Sequence, residues 1–147
     1  MNGTPTRPID NRPTPPDNRG MPTDDRITVQ RIEHVAVVVT DVARAKEFYG
    51  DVLGLTEVPR PESFDFPGAW YRNGPTDLHI ISRPQADADS RRHVAFFVAD
   101  LDVAAGVLAA NGYPVLWERK YKILSIDRFF THDPDGNRIE IMGPERG

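Results

Sequence analysis

The chain has 147 residues, the usual size of one domain, and 39% of them are hydrophobic, enough for a single compact core. Its 18 basic and 22 acidic residues leave a net charge of −4, which offers no electrostatic footprint for nucleic acid or an anionic membrane surface. With no cysteine, disulfides, thiolate metal sites, iron–sulfur clusters and cysteine nucleophiles are excluded together, so any metal has to sit on His, Asp or Glu.

Residues 1–26 hold only Met1, Ile9 and Met21 as apolar side chains, too few to offset the entropy of ordering them, and read as a disordered N-terminal tail. This segment has no apolar stretch of the kind that marks a secretory signal. No later apolar run approaches the roughly 20 residues of a membrane span, so the expected location is cytoplasmic.

From Ile27 the pattern changes. IEHVAVVV at 32–39 is rich in β-branched residues and predicts a strand. Thr40 or Asp41 can then cap a helix running to about Leu53, with Val42, Ala45, Phe48, Tyr49 and Val52 on one face and Gly54 closing it. Strands are expected near 55–60, 68–73 and 77–82. The same order starts again with RHVAFFV at 92–98, followed by a helix from Asp100 or Asp102 to about Asn111, ended by Gly112. Further strands are expected at 114–118, 127–132 and 137–143, the last two joined by a turn at Asp133-Pro134-Asp135-Gly136. HVAVVVTD at 34–41 and HVAFFVAD at 93–100 share His, Val, Ala, Val and Asp in matching positions. The folded part, 27–147, is therefore an α+β domain of two βαβββ modules, about 31–84 and 91–143.

The repeat organises the histidines. His34 and His93 open the first strand of each module, while His79 and Glu140 lie in the last strand of each. Alternate residues of a strand face opposite sides. Val35, Val37, Val39, Leu78, Ile80, Val94, Phe96, Val98, Ile139 and Ile141 form apolar rows for the helices to cover, and His34, His79, His93 and Glu140 all face the other way. Any one of these four alone is ordinarily a structural or solvated strand residue. Four in repeat-equivalent positions with one parity point to a ligand set. His132 has no repeat partner and borders a turn, which suits a surface position or one behind the ligands.

The HVA…D openings, the paired modules, the run FYGDVLGL at 48–55 and the run DPDGNRIE at 133–140 resemble the vicinal oxygen chelate superfamily over about residues 31–143. That group includes glyoxalase I, methylmalonyl-CoA epimerase, fosfomycin-resistance transferases, extradiol dioxygenases and bleomycin-resistance proteins. The resemblance implies a glyoxalase-like fold in which the modules form a curved mixed-sheet cup around one divalent metal held by His34, His79, His93 and Glu140. For members this short it implies a homodimer.

Three neutral imidazoles and one carboxylate around a divalent ion carry a net charge near +1, and octahedral coordination leaves two neighbouring positions for a substrate with two adjacent oxygens. A Lewis acid there stabilises an enediolate as it forms, so the expected chemistry is isomerisation or lyase chemistry by proton transfer beside a carbonyl. The likeness to glyoxalase I casts Glu140 as both ligand and catalytic base, a base that swings off the metal. Such donors accept Zn, Ni, Fe, Mn or Co. Without His79, the remaining His34, His93 and Glu140 would form the two-histidine, one-carboxylate triad of iron(II) oxygenases, which makes a dioxygenase the alternative.

Three departures narrow the family. Glyoxalase I and the epimerase usually carry Glu or Gln at the position of His79. Extradiol dioxygenases add a histidine and a tyrosine where Tyr121 and Phe130 stand here, and fosfomycin transferases have a threonine at the place of Ala36. A metal-free drug-binding protein is the rival from another class. The inward parity also selects Ala36, Val38, Trp70, Arg72, Ala95, Phe97, Arg128, Phe130 and Met142 as a lining for a small-molecule substrate. Arg128 or Arg72 is suited to pair a substrate carboxylate. Loops at 61–68 and 118–125 are placed to close over the cup, with Tyr121 and Lys122 reaching in.

Overall fold

The computed structural model describes residues 27–147, and the tail expected over 1–26 lies outside the described residues. Eight strands and two helical segments follow in chain order: β1 (His34–Val39), α1 (Val42–Lys46) continuing as a π-helical turn (Glu47–Val52), β2 (Thr56–Val58), β3 (Gly68–Asn73), β4 (Thr76–Ser82), β5 (Val94–Phe97), α2 (Leu101–Ala110), β6 (Leu116–Trp117), β7 (Ile126–His132) and β8 (Arg138–Pro144). They form two four-stranded mixed sheets of identical topology, β1-β4-β3-β2 and β5-β8-β7-β6. In each, the first and last strands of the module pair in parallel, and the other pairs are antiparallel.

The expected elements are all present, with three physical adjustments. The outer strands β2 and β6 are shorter than expected. Pro59 follows β2 and Pro114 precedes β6, and a residue without an N–H cannot extend a ladder. β5 begins at Val94, so His93 stands just before the strand. The first helix spans the expected residues but widens into a π turn halfway. Such a turn sets consecutive side chains closer around the axis than an α turn does. Phe48 and Tyr49 are both fully buried, the former edge-on to Tyr113 at 4.7 Å. Asp41 and Asp100, the repeat-related aspartates, cap the two helices by accepting from the Arg44 and Val103 amides at 3.1 and 3.0 Å.

The apolar parity rows pack on the core, with Val35, Val94, Phe96 and Val98 half-buried at its edge. Val39, Ile80, Ile139 and Ile141 are almost fully buried, and one core joins both modules with Ala45, Phe48, Tyr49, Leu101 and Leu108 from the helical segments. A polar bridge reinforces this junction. The Tyr49 phenol donates to Asp133 Oδ2 at 2.7 Å, and Asn137 Nδ2 donates to the Val38 carbonyl at 2.8 Å. Among the described residues no helix is long and apolar enough to cross a membrane.

Candidate metal centre

The ligand candidates occupy the same place in both sheets. His79 on β4 lies in register between Ala36 on β1 and Trp70 on β3. Glu140 on β8 lies between Ala95 on β5 and Phe130 on β7. The row Ala36, His79, Trp70 is thus repeated as Ala95, Glu140, Phe130, with an aromatic ring beside the last-strand candidate each time.

In the second module the pair is joined. His93 Nε2 lies 2.7 Å from Glu140 Oε2, and Arg128 Nη1 donates to the other oxygen, Oε1, at 2.8 Å. Glu140 is only 3% exposed, so this carboxylate is itself buried and is held on both oxygens. The Nδ1–H of His93 donates to the Arg91 carbonyl at 2.8 Å, leaving Nε2 as the nitrogen that faces Glu140.

In the first module the two imidazoles stack face to face, 4.2 Å apart and 13° from parallel. Trp70 covers the other face of His79 at 4.1 Å and 4°. Burial, and then the neighbouring His34, holds the His79 imidazole below its usual pKa, which favours the neutral, lone-pair-bearing ring. His34 is more open, with 46% of its side chain exposed, and its Nδ1 pairs with the Glu33 carboxylate.

The four candidates therefore come together as two pairs. Among the described residues of one chain, no three His, Asp or Glu side chains converge to hold a single ion.

The expected lining divides by partner. Arg72 is engaged by Asp77 through two hydrogen bonds of 3.1 Å, and this guanidinium holds the Asp77 carboxyl below the usual range. Arg128 is engaged by Glu140, and its Nη2 also donates to the Tyr121 carbonyl at 3.4 Å. Phe130 is buried and meets His93 edge-on at 5.5 Å, while Met142 lies in register with both Phe97 and Arg128. Phe97 and the Tyr121 side chain are exposed. One residue of this face, Arg138, was missed in the sequence. Arg138 shares the parity of Glu140, and His132 is its register partner on β7. The alternation in NRIEIM carried the signal for Arg138.

The chain matches the family model of the glyoxalase/bleomycin resistance protein/dioxygenase superfamily over residues 31–141. It belongs to this superfamily. Similar proteins include "Glyoxylase I 4" of Arabidopsis thaliana, 29% identical over 75% of this chain and 68% of that relative. "Metapyrocatechase 2" of Cupriavidus necator is 31% identical over 78% of this chain, which spans 37% of that longer relative. Among solved structures, a glyoxalase family protein from Bacillus anthracis is 32% identical with a TM-score of 0.73, covering 82% of this chain and 99% of the other. The similar proteins thus carry both glyoxalase and metapyrocatechase names, and the repeated βαβββ architecture described above is the glyoxalase-like fold.

Proposed function

We propose that the chain is a divalent-metal-dependent enzyme of glyoxalase type, acting on a small substrate through two adjacent oxygens by proton-transfer isomerisation or lyase chemistry. The observation that carries this reading is the His93–Glu140 couple. Its 2.7 Å separation is close to the roughly 3 Å edge between neighbouring ligands whose metal bonds are about 2.1 Å. The donor set fits a transition ion such as Zn, Ni, Fe, Mn or Co, with His34, His79, His93 and Glu140 as its holders. Two parallel stacked rings cannot both point in-plane at one ion, so His34, the more exposed of the two, is the ring that turns. When bound, the ion supplies Lewis acidity toward the substrate oxygens.

The separation of the ligands into two pairs supports a shell completed by a second copy of the chain, the module-1 pair of one protomer meeting the module-2 pair of its partner. Glu140 is the base in this account. Arg128 holds Oε1, and Oε2, the oxygen that would bind the ion, would accept a proton on swinging off it, while Trp70 covers His79 and Phe130 meets His93 edge-on.

One observation favours a second reading. His79 is sandwiched between Trp70 and His34 and is the more buried ring of its pair; with its faces so occupied, a site formed by His34, His93 and Glu140 alone would be the triad of an iron dioxygenase.

Elemental analysis of the purified full chain tests the shell. About one ion per chain is expected, lost in His34→Ala and in Glu140→Ala. A chain that retains no ion after supplementation with each candidate metal would overturn the proposal in favour of a metal-free binding protein. Oxygen consumption by the iron-loaded chain would favour the dioxygenase.

A further inference from the structure

Three arginines share the site faces of the two sheets: Arg72 on β3, Arg128 on β7 and Arg138 on β8. Two are spoken for, Arg72 by Asp77 and Arg128 by Glu140. Among the described residues, Arg138 has neither an ion-pair partner nor a side-chain hydrogen bond. Its guanidinium instead lies over the Phe130 ring, 4.0 Å from the centroid. That packing removes water from one face of the fork while leaving its N–H edge available, which pre-organises the group for a planar anion.

The surroundings place this fork beside the proposed shell. Phe130, beneath Arg138, also meets His93 edge-on. Arg138 precedes Glu140 by two residues on the same face, about 7 Å along the strand. Arg138, His93, Arg92 and Asn137 line one cavity of about 640 Å³. Asp87 and Asp89 line it too, and among the described residues neither pairs with Arg138.

We propose that Arg138 anchors a carboxylate at the far end of the substrate, which makes the substrate a small compound with two adjacent oxygens at one end and a separate carboxylate several atoms away. The assignment of the chelating end rests on the metal shell proposed above. The assignment of the far end rests on Arg138 alone. Arg128 is unsuited to this task, because a substrate carboxylate would have to displace the buried Glu140 from it.

The test compares two probes of equal length on the full chain carrying its retained metal. 2-Oxoglutarate has the distal carboxylate and 2-oxopentanoate lacks it. By calorimetric titration, 2-oxoglutarate is expected to bind at least about tenfold more tightly, the usual worth of a charge-assisted hydrogen bond. Arg138→Leu should abolish that preference with metal content unchanged, and Arg138→Lys, which keeps the charge and loses the fork, should retain part of it. Equal affinities in the wild type, or a preference that survives in Arg138→Leu, would overturn the role of Arg138 while leaving the shell intact. A chain that retains no metal would overturn the shell and the substrate class with it.

Discussion

Arg128 donates to Glu140 Oε1 at 2.8 Å from the neighbouring strand and leaves Oε2 facing His93. A carboxylate 3% exposed needs such a partner, and the arginine fixes which oxygen is offered to the site. Arg128→Met should weaken metal binding by about 10- to 100-fold, as loss of a group that orients a ligand typically does. Competition against a calibrated chelator measures this, with Arg128→Lys expected to fall between. An unchanged metal affinity in Arg128→Met would mean that the arginine does not orient Glu140.

The bridge between modules is expected to show in stability. Asp133, 4% exposed, accepts from the Tyr49 phenol, from the Asp135 and Asn137 amides, and from Asn137 Nδ2. Tyr49→Phe removes one of these bonds and should cost about 1 kcal/mol. Asp133→Ala removes all four bonds and orphans three of the donors, since Asn137 Nδ2 keeps the Val38 carbonyl, and should cost about 2–4 kcal/mol in urea unfolding. Equal losses in the two variants would contradict the network.

Alkaline pH should unfold the protein through its buried phenols. Burial, followed by the Glu57 and Asp51 carboxylates, pushes Tyr71 up to about 12, and burial with Asp133 beside it raises Tyr49 as well. In the unfolded chain both ionise near 10. The folded state therefore keeps protons that the unfolded state releases, so this stability is fully present below about pH 10 and is lost as pH rises through about 12. Urea midpoints measured from about pH 8 to 11 should fall more gently in Tyr71→Phe than in the wild type. Parallel curves would remove Tyr71 from the explanation.

Gly68 opens β3 where the chain has no room for a side chain. A Cβ there would collide with the Ile80 carbonyl oxygen on β4. Gly68→Ala should therefore cost about 1–3 kcal/mol and loosen the β3–β4 pair that presses Trp70 onto His79. Thermal unfolding measures the first effect and Trp fluorescence the second. A melting temperature equal to wild type would show that the strands part without cost.

The repeat made the topology legible. Matching strands at 34–41 and 93–100 and the turn at 133–136 are local signals, and alternation placed Val37 and Ile139 inside and His79 and Glu140 on the opposite face from them. Alternation reports a face, though, and says nothing about which groups on it meet. The stack of His34 on His79, and the capture of Arg72 by Asp77 and of Arg128 by Glu140, depend on cross-strand register and on rotamers. The π turn at Glu47–Val52 follows from burying Phe48 and Tyr49 together, a tertiary demand that helical periodicity does not reveal. How the two modules of one chain are set against each other depends on the Tyr49–Asp133 and Phe48–Tyr113 contacts, made by residues 84 and 65 positions apart along the chain.

The most direct test of a metal shell shared between two copies is complementation of metal binding. A variant carrying His34→Ala and His79→Ala has lost its module-1 pair, and one carrying His93→Ala and Glu140→Ala has lost its module-2 pair. Each alone should bind no ion. Unfolded and refolded together in equal amounts, half of the dimers are mixed, and each mixed dimer regains one intact shell, so the mixture should hold about a quarter of the wild-type metal. A mixture that holds no more metal than either variant alone, beside a wild type that binds its ion, would contradict a shell built from two chains.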